Sequence, residues 1–198
     1  VVGKVFGPWT LGYHLFGVEN FLINTIDNPE KVKRSIETLK EVPIMFGKAQ
    51  IEAGADALCF ADHATRDLCS PDAYREFLMN VHAEINERIP CPLILHICGD
   101  TADRIPYIRD TGIACFHFDA KVPVKTARNL AGDHLSLMGG TSNFMIVREG
   151  TPASIKRDVL EKRDAGIDII GPECAVPLDA PWQNMKMIAD EVKAVAEI

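Results

Sequence analysis

The segment LILHICGD, residues 93–100, joins an aliphatic run to two residues that can bind metals, a glycine and an acid. A short apolar run closed by turn residues is typical of a strand buried on both faces, as in a parallel sheet. Residues two apart in a strand share a face, so His96 and Cys98 are predicted to lie at the carboxyl end beside Ile94, a core residue of that face. The opposite face is wholly aliphatic and suits packing under helices.

Similar apolar runs alternate with longer amphipathic stretches along the whole chain, which is the βα pattern. The predicted strands are Val1–Phe6, Ala55–Ala61, Pro92–Cys98, Ile113–Phe118, His134–Met138 and Ile167–Ile170. The predicted helices are Pro29–Ala53, Pro71–Arg88, Thr101–Thr111, Val124–Leu130, Pro152–Ala165 and Pro181 to about Val195.

Six βα units predict a parallel sheet, either a barrel or an open doubly wound sheet. No G-x-G-x-x-G follows a predicted strand, which weighs against a dinucleotide-binding doubly wound sheet. A closed (β/α)8 barrel needs eight strands and about 250 residues. We therefore expect one domain over residues 1–198, an α/β fold of the (β/α)8 TIM-barrel type whose first strands are missing. Its sheet edges would need cover from another segment or from a second copy in a homo-oligomer.

The composition is that of an ordinary globular protein, 47 % hydrophobic and 25 % charged, with a formal net charge of -7. There is no basic cluster to neutralise phosphates, so small molecules or proteins are expected as partners and nucleic acid is not. No apolar run approaches the roughly 18 residues that span a bilayer, and the start does not resemble a signal peptide, so we expect a cytoplasmic protein without a membrane partner. Six scattered cysteines then favour reduced thiols or metal ligands over disulfides.

A third potential ligand, Cys174, lies in IDIIGPECAVP, residues 167–177, where the last predicted strand runs out. Barrel enzymes carry their chemistry at the carboxyl ends of the strands, where His96, Cys98 and Cys174 are all predicted to lie. One imidazole and two thiolates with an open fourth position form the Cys2His set of a catalytic zinc site. The alternative is that His96 and Cys98 are a hydrogen-bonded pair in the core, and that Cys174 has no part in it.

GGTSN, residues 139–143, follows a predicted strand and opens toward a helix. Backbone N–H groups in such a place can hold an anion, so Gly139, Gly140 and Thr141 are candidates for binding a phosphate or a sulfonate. Ordinary use of these residues in a turn and a helix cap is the alternative.

Several motifs together resemble one family: HICGD (96–100), FHFDAKV (116–122), LMGGTSN (137–143) and the segment from EGTPASIKRD to PWQNMKMI (149–188). They resemble the uroporphyrinogen-decarboxylase-like methyltransferases, most closely the methylcobamide:coenzyme M methyltransferases of methylotrophic methanogens and their bacterial relatives. Two further segments, GPWTLGYHLFG (7–17) and GADALCFADHATRDLCSPDAYREFL (54–78), also resemble segments of this family. The resemblance covers essentially the whole chain, which is expected to form the carboxyl-terminal six βα units of such a barrel.

The resemblance implies an enzyme that moves a methyl group from a methylcobamide, a corrinoid carried by a partner protein, to a small thiol such as coenzyme M. It implies Zn2+ bound by His96, Cys98 and Cys174. It also implies that Asp119 holds the fourth coordination position until substrate arrives, and that Asp62 reaches the mouth of the pocket. Helix capping is the alternative role for Asp119, and a plain loop role is the alternative for Asp62.

Uroporphyrinogen decarboxylase itself lacks these zinc ligands, so their presence favours a methyltransferase. GPECAVP (171–177) departs from the Gly-rich, APGCG-like stretch usual in the coenzyme M branch, which leaves the thiol acceptor open. His117, on the same predicted face as Asp119, is expected in the core or beside the ligands. The alternatives are a porphyrinogen decarboxylase, a corrinoid methyltransferase with another acceptor such as a folate, and a non-catalytic barrel fragment that only binds a corrinoid protein.

Overall fold

The computed structural model describes residues 1–196, which fold around one parallel sheet of six strands. The strands are β1 (Val2–Phe6), β2 (Ala57–Ala61), β3 (Leu93–Ile97), β4 (Cys115–Phe118), β5 (Ser136–Thr141) and β6 (Ile169–Pro172). Each strand pairs in parallel with the next one in sequence, so the spatial order is β1-β2-β3-β4-β5-β6. All the predicted strands are present, with their ends shifted by a few residues.

The helices lie between the strands and after the last one. They are α1 (Pro8–Phe16), α2 (Val18–Asp27), α3 (Pro29–Leu39), α4 (Glu41–Glu52), α5 (Pro71–Phe77), α6 (Met79–Arg88), α7 (Ile105–Arg109), α8 (Val124–Ala131), α9 (Pro152–Asp164) and α10 (Trp182–Ala196). A 3-10 turn precedes α7 at Ala102–Arg104, and a π-helical turn follows β5 at Asn143–Arg148. Within residues 1–196, no helix has the length and apolar character needed to cross a membrane.

The sequential strand order distinguishes the two kinds of sheet that the sequence allowed. A doubly wound sheet reverses its strand order at a switch point and carries helices on both faces. Right-handed connections between successive neighbours instead place the helices on one side, as in a barrel. The sheet therefore has the winding of a (β/α)8 TIM barrel and comprises six of its strands, which confirms the prediction of an incomplete barrel.

The two faces of the sheet differ, as the alternation of side chains along a strand requires. Leu93, Leu95 and Ile97 are fully buried beneath the helices and belong to the main hydrophobic core. On the opposite, concave face Ile94 is only half-buried, although the sequence predicted a core residue there. Phe6, on the edge strand β1, is 45 % exposed. The concave face is open because six strands do not close around it.

The helices differ from the prediction in four places, and in one of them the predicted helix 101–111 is a 3-10 turn followed by the short helix α7. The predicted helix 29–53 divides into α3 and α4, because Pro43 has no N–H to donate to the carbonyl of Leu39. The predicted helix 71–88 divides at Leu78, which has a non-helical φ of -121°. Helices α1 and α2 were not predicted, and they meet at Gly17, whose φ of +79° favours glycine.

Candidate metal centre

The three predicted ligands converge at the carboxyl ends of the strands. His96 is on β3, Cys98 follows that strand directly, and Cys174 lies just beyond β6. Nε2 of His96 is 3.0 Å from Sγ of Cys98, and the Sγ atoms of Cys98 and Cys174 are 3.3 Å apart. The three potential ligand atoms all lie within 4.8 Å of one another. The structure therefore brings together the residues that the sequence singled out, at a spacing that one ion can bridge.

His96 has the orientation that metal binding requires. It pairs in register with His117 on β4, and its Nδ1 lies 3.1 Å from the carbonyl oxygen of His117. A carbonyl oxygen can only accept, so Nδ1 carries the proton and the lone pair of Nε2 faces the sulfurs. The backbone of the neighbouring strand thus fixes the tautomer of the His96 ring.

His117 supports the cluster without joining it. Its ring centroid lies 4.4 Å from that of His96, and its Nε2–H donates to the carbonyl of Pro172 at 2.8 Å. Burial lowers the pKa of His117 to about 4, so the ring is neutral near pH 7. His117 therefore connects β4 with the end of β6, beside Cys174.

The two thiols of the cluster differ in acidity. A hydrogen bond from Cys98 is the largest cause that lowers the pKa of Cys174, to about 3. The same contact, and then burial, raise the pKa of Cys98. The pair accordingly shares one proton near pH 7, which a cation would displace, because the thiolate is the form that binds metals. One imidazole nitrogen and two sulfurs match the donor set of a catalytic zinc site, so the residues fit zinc.

Asp119 lies near the cluster but is not brought into it. One of its carboxylate oxygens accepts the N–H of Gly99 at 2.8 Å, and the other accepts the N–H of Lys121 at 2.9 Å. Asp119 therefore ties the turn after Cys98 to the loop after β4. These contacts are of the kind that the capping alternative describes, and the place of Asp119 in the fourth coordination position stays a prediction.

Glu173 is a residue of the site that the sequence analysis missed. Its carboxylate oxygens accept the N–H of Ala120 at 3.0 Å and the N–H of Asn143 at 2.7 Å. Burial, and to a lesser extent the charge of Asp119, raise the pKa of Glu173. The available signal was an acid next to a potential ligand, Cys174, in a segment where the resemblance led us to expect glycine.

Asp62 lies inside the protein, and its expected place at the mouth of the pocket is corrected. Its side chain is 0 % exposed. Oδ1 accepts the backbone N–H of Thr10 at 2.7 Å and the Thr10 hydroxyl at 3.1 Å, while Oδ2 is 3.0 Å from Nε2 of His82. Nδ1 of His82 in turn lies 3.0 Å from the hydroxyl of Tyr74. Asp62 continues the alternation of Phe60, which faces the helices, so its side chain cannot reach the concave face.

Gly139, Gly140 and Thr141 belong to β5, which runs past its predicted end at Met138. A Cβ atom at Gly139 would lie 2.7 Å from the carbonyl oxygen of Phe118, and the φ of Gly139 is +102°. The Thr141 side chain is buried and donates its hydroxyl to Asp158 at 2.9 Å. The structure gives these residues packing roles, and their anion-binding role stays a prediction.

Comparisons with known proteins give concordant results. A family model described as Uroporphyrinogen decarboxylase (URO-D) matches residues 1–195. A methylated-thiol–coenzyme M methyltransferase of Methanosarcina mazei is 35% identical over 187 residues, which are 94% of this chain and 51% of that protein. The methylcobamide:CoM methyltransferase MtaA of Methanosarcina barkeri is 27% identical over 190 residues, 95% of this chain and 56% of that protein.

Among solved structures, a methyltransferase from Methanosarcina mazei superposes with a TM-score of 0.94 at 26% sequence identity. The match covers 98% of this chain and 58% of that chain. The chain thus spans about half the length of the curated relatives it matches.

Proposed function

The chain belongs to the uroporphyrinogen decarboxylase family, and from this premise we propose that it is a zinc-dependent methyltransferase that moves a methyl group from a methylated corrinoid to a small thiol. The observation that carries the proposal is the convergence of His96, Cys98 and Cys174 at the carboxyl ends of the strands. The names of the similar proteins, which include a methylcobamide:CoM methyltransferase, support this choice of reaction. We further propose that residues 1–198 form a single domain, the carboxyl-terminal part of the family's barrel.

Each of the three residues has a definite part in this proposal. His96 presents the lone pair of Nε2, because Nδ1–H is bonded to the neighbouring strand. Cys98 and Cys174 supply the two sulfurs, and the proton that they share leaves for solvent when the site is loaded. A zinc ion bound to this set would supply the positive charge that keeps a substrate thiol deprotonated near neutral pH. The site lies at the rim of the open concave face, which gives a substrate access.

The reaction that we propose is a nucleophilic displacement. The substrate sulfur forms a bond to the methyl carbon, the cobalt–carbon bond of the corrinoid breaks, and its electron pair stays on cobalt. The thiol proton is lost to solvent. The protein contributes by aligning sulfur and methyl carbon at short range. A corrinoid-carrying protein is the proposed partner, and coenzyme M is the proposed acceptor, in line with the names of the relatives.

Demethylation of free methylcobalamin in the presence of coenzyme M tests this proposal. The zinc-loaded protein should accelerate loss of the methyl–cobalt absorption, and Cys98→Ala and Cys174→Ala should each slow it by at least about 100-fold, because each removes a ligand. Cys91→Ser, at the amino end of β3, is the matched control and should leave the rate unchanged. Equal rates in the wild type and in the two alanine variants would refute the proposal.

A further inference from the structure

We infer that Glu173 is a positioning residue that holds Cys174 within reach of Cys98; the inference rests on the proposed metal site. Glu173 precedes Cys174 directly, and its two carboxylate oxygens accept backbone N–H groups from two different loops. These donors are Ala120 in the loop after β4, at 3.0 Å, and Asn143 in the turn after β5, at 2.7 Å. One side chain thereby connects the Cys174 segment to the loops after β4 and β5.

These contacts continue to the other half of the cluster. Gly99, the residue after Cys98, donates its N–H to Asp119 at 2.8 Å, and Asp119 is the chain neighbour of Ala120. A continuous series of hydrogen bonds therefore runs from the Cys98 turn through residues 119–120 to Glu173 and Cys174. Two carboxylates therefore join the ends of β3, β4, β5 and β6: that of Asp119 in the loop after β4, and that of Glu173 beside Cys174.

Glu173 acts together with two other side chains that bind the backbone beside Cys174. His117 donates its Nε2–H to the carbonyl of Pro172 at 2.8 Å, and Asn143 donates its Nδ2–H to the carbonyl of Ala175 at 2.9 Å. Pro172 is the last residue of β6, and Pro177 and Pro181 follow in the next segment; none of the three can donate a backbone hydrogen bond. Directly after β6, the backbone N–H of Glu173 donates to the carbonyl of Thr141 on β5 at 2.9 Å.

A carboxylate suits this position because both bonds require an acceptor. Glutamine has the same shape but offers only one oxygen, and its NH2 group would face a backbone N–H. Glu173→Gln should therefore release one loop and allow Cys174 to move away from Cys98. A ligand that is displaced by a fraction of an ångström weakens a metal site, as the loss of other supporting hydrogen bonds does, typically by 10- to 100-fold in affinity.

The matched control is Asp168→Asn, at the other end of the same edge strand. Asp168 also uses a carboxylate oxygen to accept a backbone N–H, that of Leu137 at 2.8 Å, and it pairs with Arg128 at 3.0 Å. It lies at the amino end of the sheet, away from the cluster. Its loss should lower the thermal stability of the protein and leave metal binding unchanged.

Cobalt(II) serves as the probe, because thiolate-to-cobalt charge-transfer absorption reports on the bound sulfurs. Glu173→Gln should lower the cobalt affinity at least about 10-fold and weaken or shift this absorption. Asp168→Asn should retain the wild-type affinity and spectrum. Wild-type affinity and spectrum in Glu173→Gln would overturn the inference, whereas a wild type that binds no cobalt would overturn the proposed metal site.

A measurement on the metal-free protein distinguishes a failure of the inference on Glu173 from a failure of the proposed metal site. A diazene oxidant accepts the two thiol hydrogens of Cys98 and Cys174, becomes a hydrazine, and leaves a disulfide between the two sulfurs. This disulfide should form readily in the metal-free wild type, where the sulfurs are 3.3 Å apart, and at least about 10-fold more slowly in Glu173→Gln. Equal rates of disulfide formation, measured by mass spectrometry of the linked peptides, would show that Glu173 does not position Cys174.

Discussion

Nδ1 of His96 lies 3.1 Å from the carbonyl oxygen of His117, its in-register neighbour on the adjacent strand. The register of the parallel sheet places this carbonyl beside the His96 ring, and the carbonyl fixes the tautomer of the imidazole. With the proton on Nδ1, Nε2 is free to accept, and it faces the two sulfurs. The candidate centre is thus pre-arranged by the fold before any ion enters it.

Replacement of the ligands should abolish stoichiometric metal binding. The protein should bind one zinc per chain, and Cys174→Ala should lower the affinity by at least about 100-fold, because a two-ligand site remains. Cys59→Ser is the control, since Cys59 faces the same concave side from β2 but lies outside the cluster. Competition with a chromogenic chelator measures these affinities. Retention of one zinc after replacement of both Cys98 and Cys174 by alanine would rule out the assigned ligands.

The metal affinity should rise with pH around neutrality. The raised pKa of Cys98 keeps its thiol protonated, whereas the lowered pKa of Cys174 makes its sulfur a thiolate already. Metal binding should then displace about one proton, and the apparent affinity should increase about tenfold per pH unit below the pKa of Cys98. Chelator competition at several pH values gives the slope. A slope of zero, or one that corresponds to two protons, would be inconsistent with a shared proton.

Asp62 should matter for stability and not for metal binding. Its carboxylate is buried and bonded to Thr10 and His82, so Asp62→Ala leaves several buried donors without an acceptor. The free energy of unfolding should fall by about 3 kcal/mol, as measured by urea denaturation. Thr10→Val should cost about 1 kcal/mol. Loss of zinc affinity in a folded Asp62→Ala protein would instead show that Asp62 contributes to the metal site.

His117 should make the metal-free protein less stable in acid. Its pKa is about 4 in the folded chain and 6.5 for an unperturbed histidine, so the unfolded state binds more protons between these values. Stability from this group is complete above about pH 6.5 and falls as the pH drops toward 4, by up to about 3 kcal/mol. His117→Gln should flatten this part of the pH profile, and His134→Gln, at an exposed position, should not. An unchanged profile in His117→Gln would contradict the assignment.

Strand alternation explains both the successes and one failure of the sequence analysis. The run from Leu93 to Cys98 has an unambiguous aliphatic face, so the side on which His96 and Cys98 lie could be predicted. The same rule, applied to Phe60 and Asp62, would have placed Asp62 under the helices, and the prediction overlooked it.

The contacts of Glu173 and Asp119 could not be predicted in this way. Each side chain binds backbone N–H groups of a different loop, and the relative positions of loops depend on the packing of the whole sheet. The packing role of the β5 glycines could not be predicted for a related reason. Close approach of Phe118 requires a glycine at position 139, and a sequence does not distinguish that requirement from the backbone freedom of a ligand-binding turn.

X-ray absorption at the zinc edge, recorded before and after addition of coenzyme M, counts the sulfur atoms bound to zinc. If His96, Cys98 and Cys174 hold one zinc ion, they leave a position at which a substrate thiol binds through its sulfur. The zinc-loaded protein should show two sulfur neighbours, and coenzyme M should add a third at a zinc–sulfur distance of about 2.3 Å. A sulfur count that stays at two when coenzyme M is saturating would show that the substrate thiol does not bind to the zinc.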